Sequence, residues 1–233
     1  MQVFIKIINK CKKVPLQLSR PKVKKNNNNN NTNNSNNNTN TNKKLKKKKS
    51  KDESVKFKEY SKIIKAVKNN IAKNKLFLCL DIEAFEYDQK LLTEFGWCIF
   101  KKDGTIIKKK QAIVKENINY HNGDHVPDHR YDYLFGESEI QELKVIEEEL
   151  KNDIESVNYL VGQGIGNDLR YLNSINVNTS KFEKMKNSQI PQFGVIDTMD
   201  LYSGLYYTNG VSLEKSLIKL QIPYDKLHNA GKY

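Results

Sequence analysis

The stretch LFLCLDIEAFE at residues 76–86 constrains this chain more than any other. Leu76 to Leu80 form an unbroken apolar run of strand length, the pattern of a strand covered on both faces. Asp81 and Glu83 follow at once, and side chains at i and i+2 of a strand share a face. Open α/β sheets bind ligands outside the carboxyl ends of their strands, which is where these acids stand. Like charges this close repel, and hard divalent ions such as Mg²⁺ or Mn²⁺ take carboxylate oxygens as ligands. Strand-end acids that simply face water are the alternative.

The sequence downstream reads as alternating elements. LLTEFGWCIF (91–100) is a second strand, KKDG (101–104) a turn and TIIKKKQAIVKE (105–116) a third, which makes antiparallel neighbours. INYHNGDHVPDHRYDYLFG (118–136) is polar, aromatic and broken by Gly and Pro, so it is expected as a loop. ESEIQELKVIEEELKND (137–153) has helical spacing, SVNYLVGQG (156–164) reads as a fourth strand and NDLRYLNSI (167–175) as a helix. FGVIDTMDLY (193–202) is a fifth strand with its exit turn, and VSLEKSLIKL (211–220) a closing helix with Ser212 as N-cap. The order βββαβαβα predicts an α/β domain over 76–233 with a mixed five-stranded sheet flanked by helices.

Two further acids sit at strand ends. Asp168 opens the helix after the fourth strand, behind glycines that allow a tight turn, and by itself reads as a helix N-terminal acid stabilised by the dipole. Asp197 follows the apolar part of VIDTMDLY in the same way, although its Thr neighbour suits turn chemistry equally well.

The first 75 residues differ in kind from the rest. They carry 22 Lys/Arg against 3 Asp/Glu, whereas residues 76–233 carry 18 against 24, so the overall +13 belongs to the tail. Residues 26–42 are almost all Asn, with nothing apolar to bury, and residues 1–52 are expected as a disordered basic and Asn-rich tail. Residues 53–75 carry Val55, Phe57, Tyr60, Ile63, Ile64, Val67 and Ile71 mostly three or four apart, which predicts an amphipathic lead-in helix. The first twenty residues are basic and acid-free, as in an organelle-targeting segment, but show one Arg and no clear amphipathic period. KKLKKKKSK (43–51) fits nuclear import, nucleic-acid attraction or a solvated linker. The expected location is nuclear or cytoplasmic, with mitochondrial targeting a lesser alternative. No run approaches the ~18–20 apolar residues of a membrane span. Cys11, Cys79 and Cys98 lack metal-type spacing and read as thiols of a reducing compartment, the last two in apolar runs.

DIE after the first strand, ND-L-RYL after the fourth, VIDT-DLY, SLEKSLIKL and then LHNAG together resemble the DEDDh group of ribonuclease-H-like 3′–5′ exonucleases. Within it the chain is similar to a fungal and protist group related to RNA-silencing and messenger-RNA-export factors, which shares a loop like NGDHVPDHRYDYLFGES (122–138). The resemblance implies a ribonuclease H-like fold over about residues 55–233. It implies Asp81 and Glu83 as first-motif metal ligands, Asp168 as second-motif acid and His228 as the general base. Two Mg²⁺ or Mn²⁺ ions, an RNA or DNA substrate and a protein partner in RNA metabolism are implied with them. Phe85, just past the acids, is a candidate to stack on a terminal base.

The pattern also fails in places. The family's fourth acid belongs at the position held by Tyr233, and Gly164 stands where an Asn or Ser is usual. A truncated domain lacking its last helix, a decayed copy kept for binding and an enzyme working with three acids are the open explanations. Little or no nuclease activity, and an apolar sheet face left bare, are the expectations. A non-catalytic nucleic-acid-binding or scaffold protein is the alternative function. A phosphatase is disfavoured because Glu83 sits where a second Asp is needed. His121, His125 and His129 have a spacing that suits zinc on a helix, but Gly123 and Pro127 argue for loop histidines. Oligomeric state is not legible.

Overall fold

The computed structural model describes residues 1–10, 39–133, 136–186, 189–224, 227, 229 and 230. Among them are strands β1 (Leu76–Phe85), β2 (Asp88–Lys101), β3 (Ile106–Val114), β4 (Glu139–Gln141), β5 (Tyr159–Gly162), β6 (Glu183–Lys184) and β7 (Gly194–Asp197). Helices α1 (Gln2–Lys10), α2 (Thr39–Asn70), α3 (Leu143–Ser156), α4 (Gly166–Ser174), α5 (Thr198–Tyr206) and α6 (Leu213–Leu220) flank them. The strands form one sheet in the order β4-β3-β2-β1-β5-β7-β6. β1, β2 and β3 pair antiparallel, and every other pairing is parallel. The ribonuclease H-like α/β fold stands, with seven strands in place of five. β4 and β6 have three and two residues, too few to show an alternation, and form only because β3 and β7 offer a free edge.

Alternation along β1 builds two cores. Leu78, Leu80, Ile82 and Ala84 pack with Phe95, Trp97 and Ile99 of β2 against Ile146, Leu150 and Ile154 of α3 and Leu172 of α4. Phe77 on the opposite face joins Phe100, Tyr159 and Val161 beneath α1, α2, α5 and α6. Asp153 ties α3 down by accepting from Trp97 Nε1 at 2.7 Å and pairing with Lys108 at 2.6 Å.

Four expectations are corrected. Residues 2–10 are not a disordered segment: Val3, Phe4, Ile7 and Ile8 form a buried helical stripe. Phe4 lies with its ring centroid 5.2 Å from Phe77 and 5.8 Å from Phe100. The sheet face expected to lie bare is therefore covered, with Phe77 and Phe100 both at 0% exposure. The lead-in helix begins at Thr39 and ends at Asn70 instead of spanning 53–75. Phe57, Ile63, Ile64 and Val67 are buried as its stripe predicts, while Val55 is exposed. Residues 198–202, expected as a strand's exit turn, start α5, because Asp197 caps that helix by accepting from Met199 N–H at 2.9 Å. The disorder expected of residues 11–38 falls on a stretch outside the described residues.

α2 and α5 cross closely at Gly204. A Cβ there would meet the Tyr60 carbonyl carbon at 2.6 Å, and Ser61 Oγ donates to the Gly204 carbonyl at 2.6 Å. Glycine is what lets the two backbones approach.

Candidate functional site

Asp81 and Glu83 point from one face of β1, as their spacing requires, just before the ladder with β2 shifts register at Glu83–Phe85. Asp168 comes from the first turn of α4 and is buried, its Oδ1 accepting the Ile82 backbone N–H at 3.0 Å. That bond fastens α4 to the strand between the two acids. All three acids line one cavity of about 340 Å³, with β1 as floor, α4 with Asn167 and Tyr171 as one wall, and His125 and Val126 as the other. Asp81 is exposed on the cavity floor.

The three carboxyls are electrostatically crowded. Burial raises Glu83 to about 9, with Asp81, Glu94 and Asp168 adding repulsion. Burial and then Asp81 raise Asp168 to about 8, against the pull of the Ile82 N–H. Partial desolvation by the surrounding protein raises Asp81, and the Met1 ammonium opposes it. Carboxyls crowded in this way are held protonated by one another, and a divalent ion, which takes hard oxygen donors, would favour their charged forms. Among the described residues, however, no set of three or more His, Cys, Asp or Glu side chains is drawn together at ligand separation. The donor chemistry fits, and the side chains would have to close around an ion.

The wall opposite α4 belongs to the loop expected at 118–136, and its fastening was not foreseen. Glu86, just past β1, accepts the backbone N–H groups of Asp124, His125 and Val126 at 3.0, 2.9 and 2.9 Å. Asn122 donates to the Ala84 carbonyl and accepts from Glu86 N–H. Deeper in, Arg130 is 2% exposed and binds Asp128 together with the carbonyls of Ile118 and Tyr120. Gln111 of β3 donates to both Glu94 and the Arg130 carbonyl, and Ser138 Oγ donates to Gln111.

Glu94 is 2% exposed, raised to about 8 by burial, and also accepts the Ala230 backbone N–H. Asn229 donates to the His129 carbonyl at 2.7 Å. Asn229 and Ala230 are thus docked between β2 and the loop, while His228 and Tyr233 lie outside the described residues.

The structure brings Asp81, Glu83 and Asp168 together but leaves other candidates aside. Phe85 does not line the cavity; its ring stands between Tyr87 and Tyr120. Asp197 is occupied with Met199 N–H and Gly164 N–H, both at 2.9 Å. Gly164 has φ +69°, a left-handed conformation that glycine adopts without strain. The loop histidines diverge: His129 pairs with Asp132, His121 with Asp128, and only His125 reaches the cavity. Cys79 and Cys98 are free thiols facing each other across β1 and β2, with Cys98 pushed up to about 12 by burial. Glu86, Glu94 and Arg130 escaped the sequence reading because isolated charged residues in a loop or strand carry no spacing signal.

Comparison with known proteins adds an independent finding. Residues 76–232 match the family described as DNA polymerase III subunit epsilon-like, C-terminal domain, of DEDDh type. The chain is 28% identical over 209 residues to "Good for full DBP5 activity protein 2" of Saccharomyces cerevisiae, a match covering 74% of this chain and 36% of that protein. It is 30% identical over 164 residues to an uncharacterised nucleolar protein of Schizosaccharomyces pombe, covering 66% of this chain and 63% of that one. A further uncharacterised Saccharomyces cerevisiae protein is 28% identical over 202 residues, with 75% and 41% covered. The matches span less than two thirds of each relative's length.

Proposed function

We propose, from the premise that this chain belongs to the DEDDh, DNA polymerase III epsilon-like family, that its cleft receives the 3′ end of an RNA or DNA strand at a divalent-cation site. The observation that carries the reading is the convergence of Asp81, Glu83 and Asp168 on one cavity from β1 and α4. These three would hold Mg²⁺ or Mn²⁺, two ions in a complete site. Bound there, such an ion supplies charge stabilisation to a scissile phosphate and acidifies an attacking water. His228 is assigned the general-base role, holding the water's proton on its imidazole near neutral pH. Glu94 and the His129 carbonyl anchor the residues that follow His228. Phe85 is assigned a contact with substrate bases. Tyr233 in the slot of the fourth acid deprives the site of one ligand, so hydrolysis by this chain is impaired.

Titration with Mn²⁺ tests the reading. The chain is expected to bind Mn²⁺ and Asp81→Asn to lose it, while Tyr233→Asp raises divalent-dependent 3′–5′ hydrolysis at least tenfold. Equal Mn²⁺ affinity in Asp81→Asn would sink the site assignment. Robust hydrolysis by the unmodified chain, lost in Asp81→Ala, would sink the impairment.

A second reading, a non-catalytic nucleic-acid-binding or scaffold protein of RNA metabolism, is favoured by Tyr233 in the slot of the fourth acid. There KKLKKKKSK would capture phosphates with strong salt dependence. The description of one relative as nucleolar supports a nuclear location under either reading.

A further inference from the structure

The helices that cover the Phe77 face of the sheet present lysines at a repeated interval. Lys6 and Lys10 stand on α1, Lys58, Lys62 and Lys65 on α2, and Lys215 and Lys219 on α6, and all of them are exposed. Steps of four and three residues put each set on one side of its helix. On α2 that side is opposite the buried Ile64, Val67 and Ile71. α1 packs against both α2 and α6, so the three sets belong to one layer.

Lysines on the other side of the sheet have acids beside them. Lys108 pairs with Asp153, Lys110 with Glu139 and Glu149, Lys115 with Glu142 and Lys151 with Glu147. Among the described residues, no carboxylate pairs with any of the lysines named on α1, α2 and α6. Of the acids interleaved with them, Glu59 is half-buried and Glu214 accepts from Tyr224 Oη at 3.0 Å. Like charges one turn apart repel, and this layer repeats that arrangement on three helices. Lys10 and Lys219 also converge from separate helices on Tyr206, each with its Nζ 5.7 Å from the ring centroid. An anion from outside the fold would relieve the repulsion.

We propose that the lysine-bearing layer of α1, α2 and α6 is an exosite for the phosphate backbone of RNA or DNA, holding a part of the nucleic acid that does not enter the acidic cleft. The chemistry of the layer selects this occupant over an acidic protein. Interfaces between proteins are depleted in Lys and lean on Arg and aromatic anchors at their centres. α1, α2 and α6 contain no Arg, and the exposed Val55 and Ile218 lie on different helices. Lysines repeated along helices act as point charges and match the repeated charge of a phosphate backbone. Such binding ignores sequence and weakens steeply with salt. The proposal rests on the nucleic-acid reading for the class of its partner, but it requires neither the three acids nor KKLKKKKSK.

Salt-dependent binding in EDTA tests the exosite. Fluorescence anisotropy of the full chain would follow labelled blunt RNA and DNA duplexes as salt rises. Two triple variants remove the charge, Lys58→Gln/Lys62→Gln/Lys65→Gln on α2 and Lys6→Gln/Lys215→Gln/Lys219→Gln on α1 and α6. Each is expected to lower the slope of log affinity against log salt by about 2–3, the loss of about three phosphate contacts, and to weaken binding roughly tenfold. Lys115→Gln/Lys144→Gln/Lys151→Gln removes the same charge from the α3 side and is expected to change neither quantity. KKLKKKKSK is common to all these chains and cancels. Both duplexes are expected to respond, and the tighter one identifies the source of the backbone. An unchanged slope in either layer variant, or an equal drop in the α3-side variant, would overturn the exosite. So would a polyglutamate of equal charge that competes as well as unlabelled duplex, which would assign the layer to an acidic protein. Asp81→Asn is expected to keep the slope of the unmodified chain. Lowered slopes in a chain that binds no Mn²⁺ would leave the exosite standing while the cleft reading falls. Unchanged slopes beside an intact Mn²⁺ site would sink the exosite alone.

Discussion

Glu83 of β1 stands directly across the ladder from Glu94 of β2. One carboxyl lines the cavity, and the other is buried behind it between Gln111 and the Ala230 backbone. Burial, then Asp81, then Glu94 push Glu83 up to about 9. Glu94→Gln keeps an acceptor for Gln111 and removes the charge. Glu83 is then expected to titrate lower, read from its side-chain carbon resonance in EDTA. An unmoved titration would mean that the two carboxyls do not interact.

Stability should fall with rising pH when no divalent ion is present. Asp168 and Glu83 hold their protons up to about 8 and about 9, against 3.8 and 4.5 unfolded. Between those limits the folded chain binds more protons than the unfolded one, so each step up in pH favours unfolding. Asp168→Asn retains an acceptor for the Ile82 N–H and removes the titration. In urea denaturation at pH 8 it should be more stable than the unmodified chain by about 1–2 kcal/mol, a margin that vanishes near pH 4. A less stable Asp168→Asn at pH 8 would contradict the crowding.

Divalent cations should reverse that sign. An ion that binds only the folded chain adds about 2.7 kcal/mol at a hundredfold excess over its Kd. For a chain of this size that is several degrees of unfolding temperature. Mn²⁺ at pH 8 should raise the transition of the unmodified chain and leave that of Asp168→Asn nearly unmoved. Equal rises in both would place the ion elsewhere.

Phe4 is at 0% exposure between Phe77 and Phe100. Phe4→Ala should cost about 3–5 kcal/mol in chemical denaturation, the usual cost of deleting a buried ring. A change below about 1 kcal/mol would show that α1 contributes little to the domain.

The legible parts of the molecule were those with a period. The apolar run ending in Asp81 and Glu83 announced β1 and the shared face of its acids, and Ser212 announced the start of α6, accepting from Lys215 N–H. Asp168 was visible as a strand-end acid, but only the resemblance grouped it with Asp81 and Glu83, since its bond to Ile82 spans 86 positions that no local pattern connects. The stripe Val3, Phe4, Ile7 and Ile8 was present in the sequence but too short to outweigh the basic tail around it. The loop's bracing is the least legible part, because Glu86 reaches N–H groups nearly forty residues on through backbone geometry alone.

The seat of α1 also bears on the order in which the molecule is completed. α1 precedes every strand in sequence, yet it rests on Phe77 and Phe100 and against α5 and α6, and Lys10 donates to Tyr206. Contacts between such distant positions form late, after the loops between them have closed. On the ribosome α1 emerges before the elements it packs on, so its apolar stripe stays unsheltered until α6 has followed it out. Apolar surface exposed in such an interval is prone to aggregate.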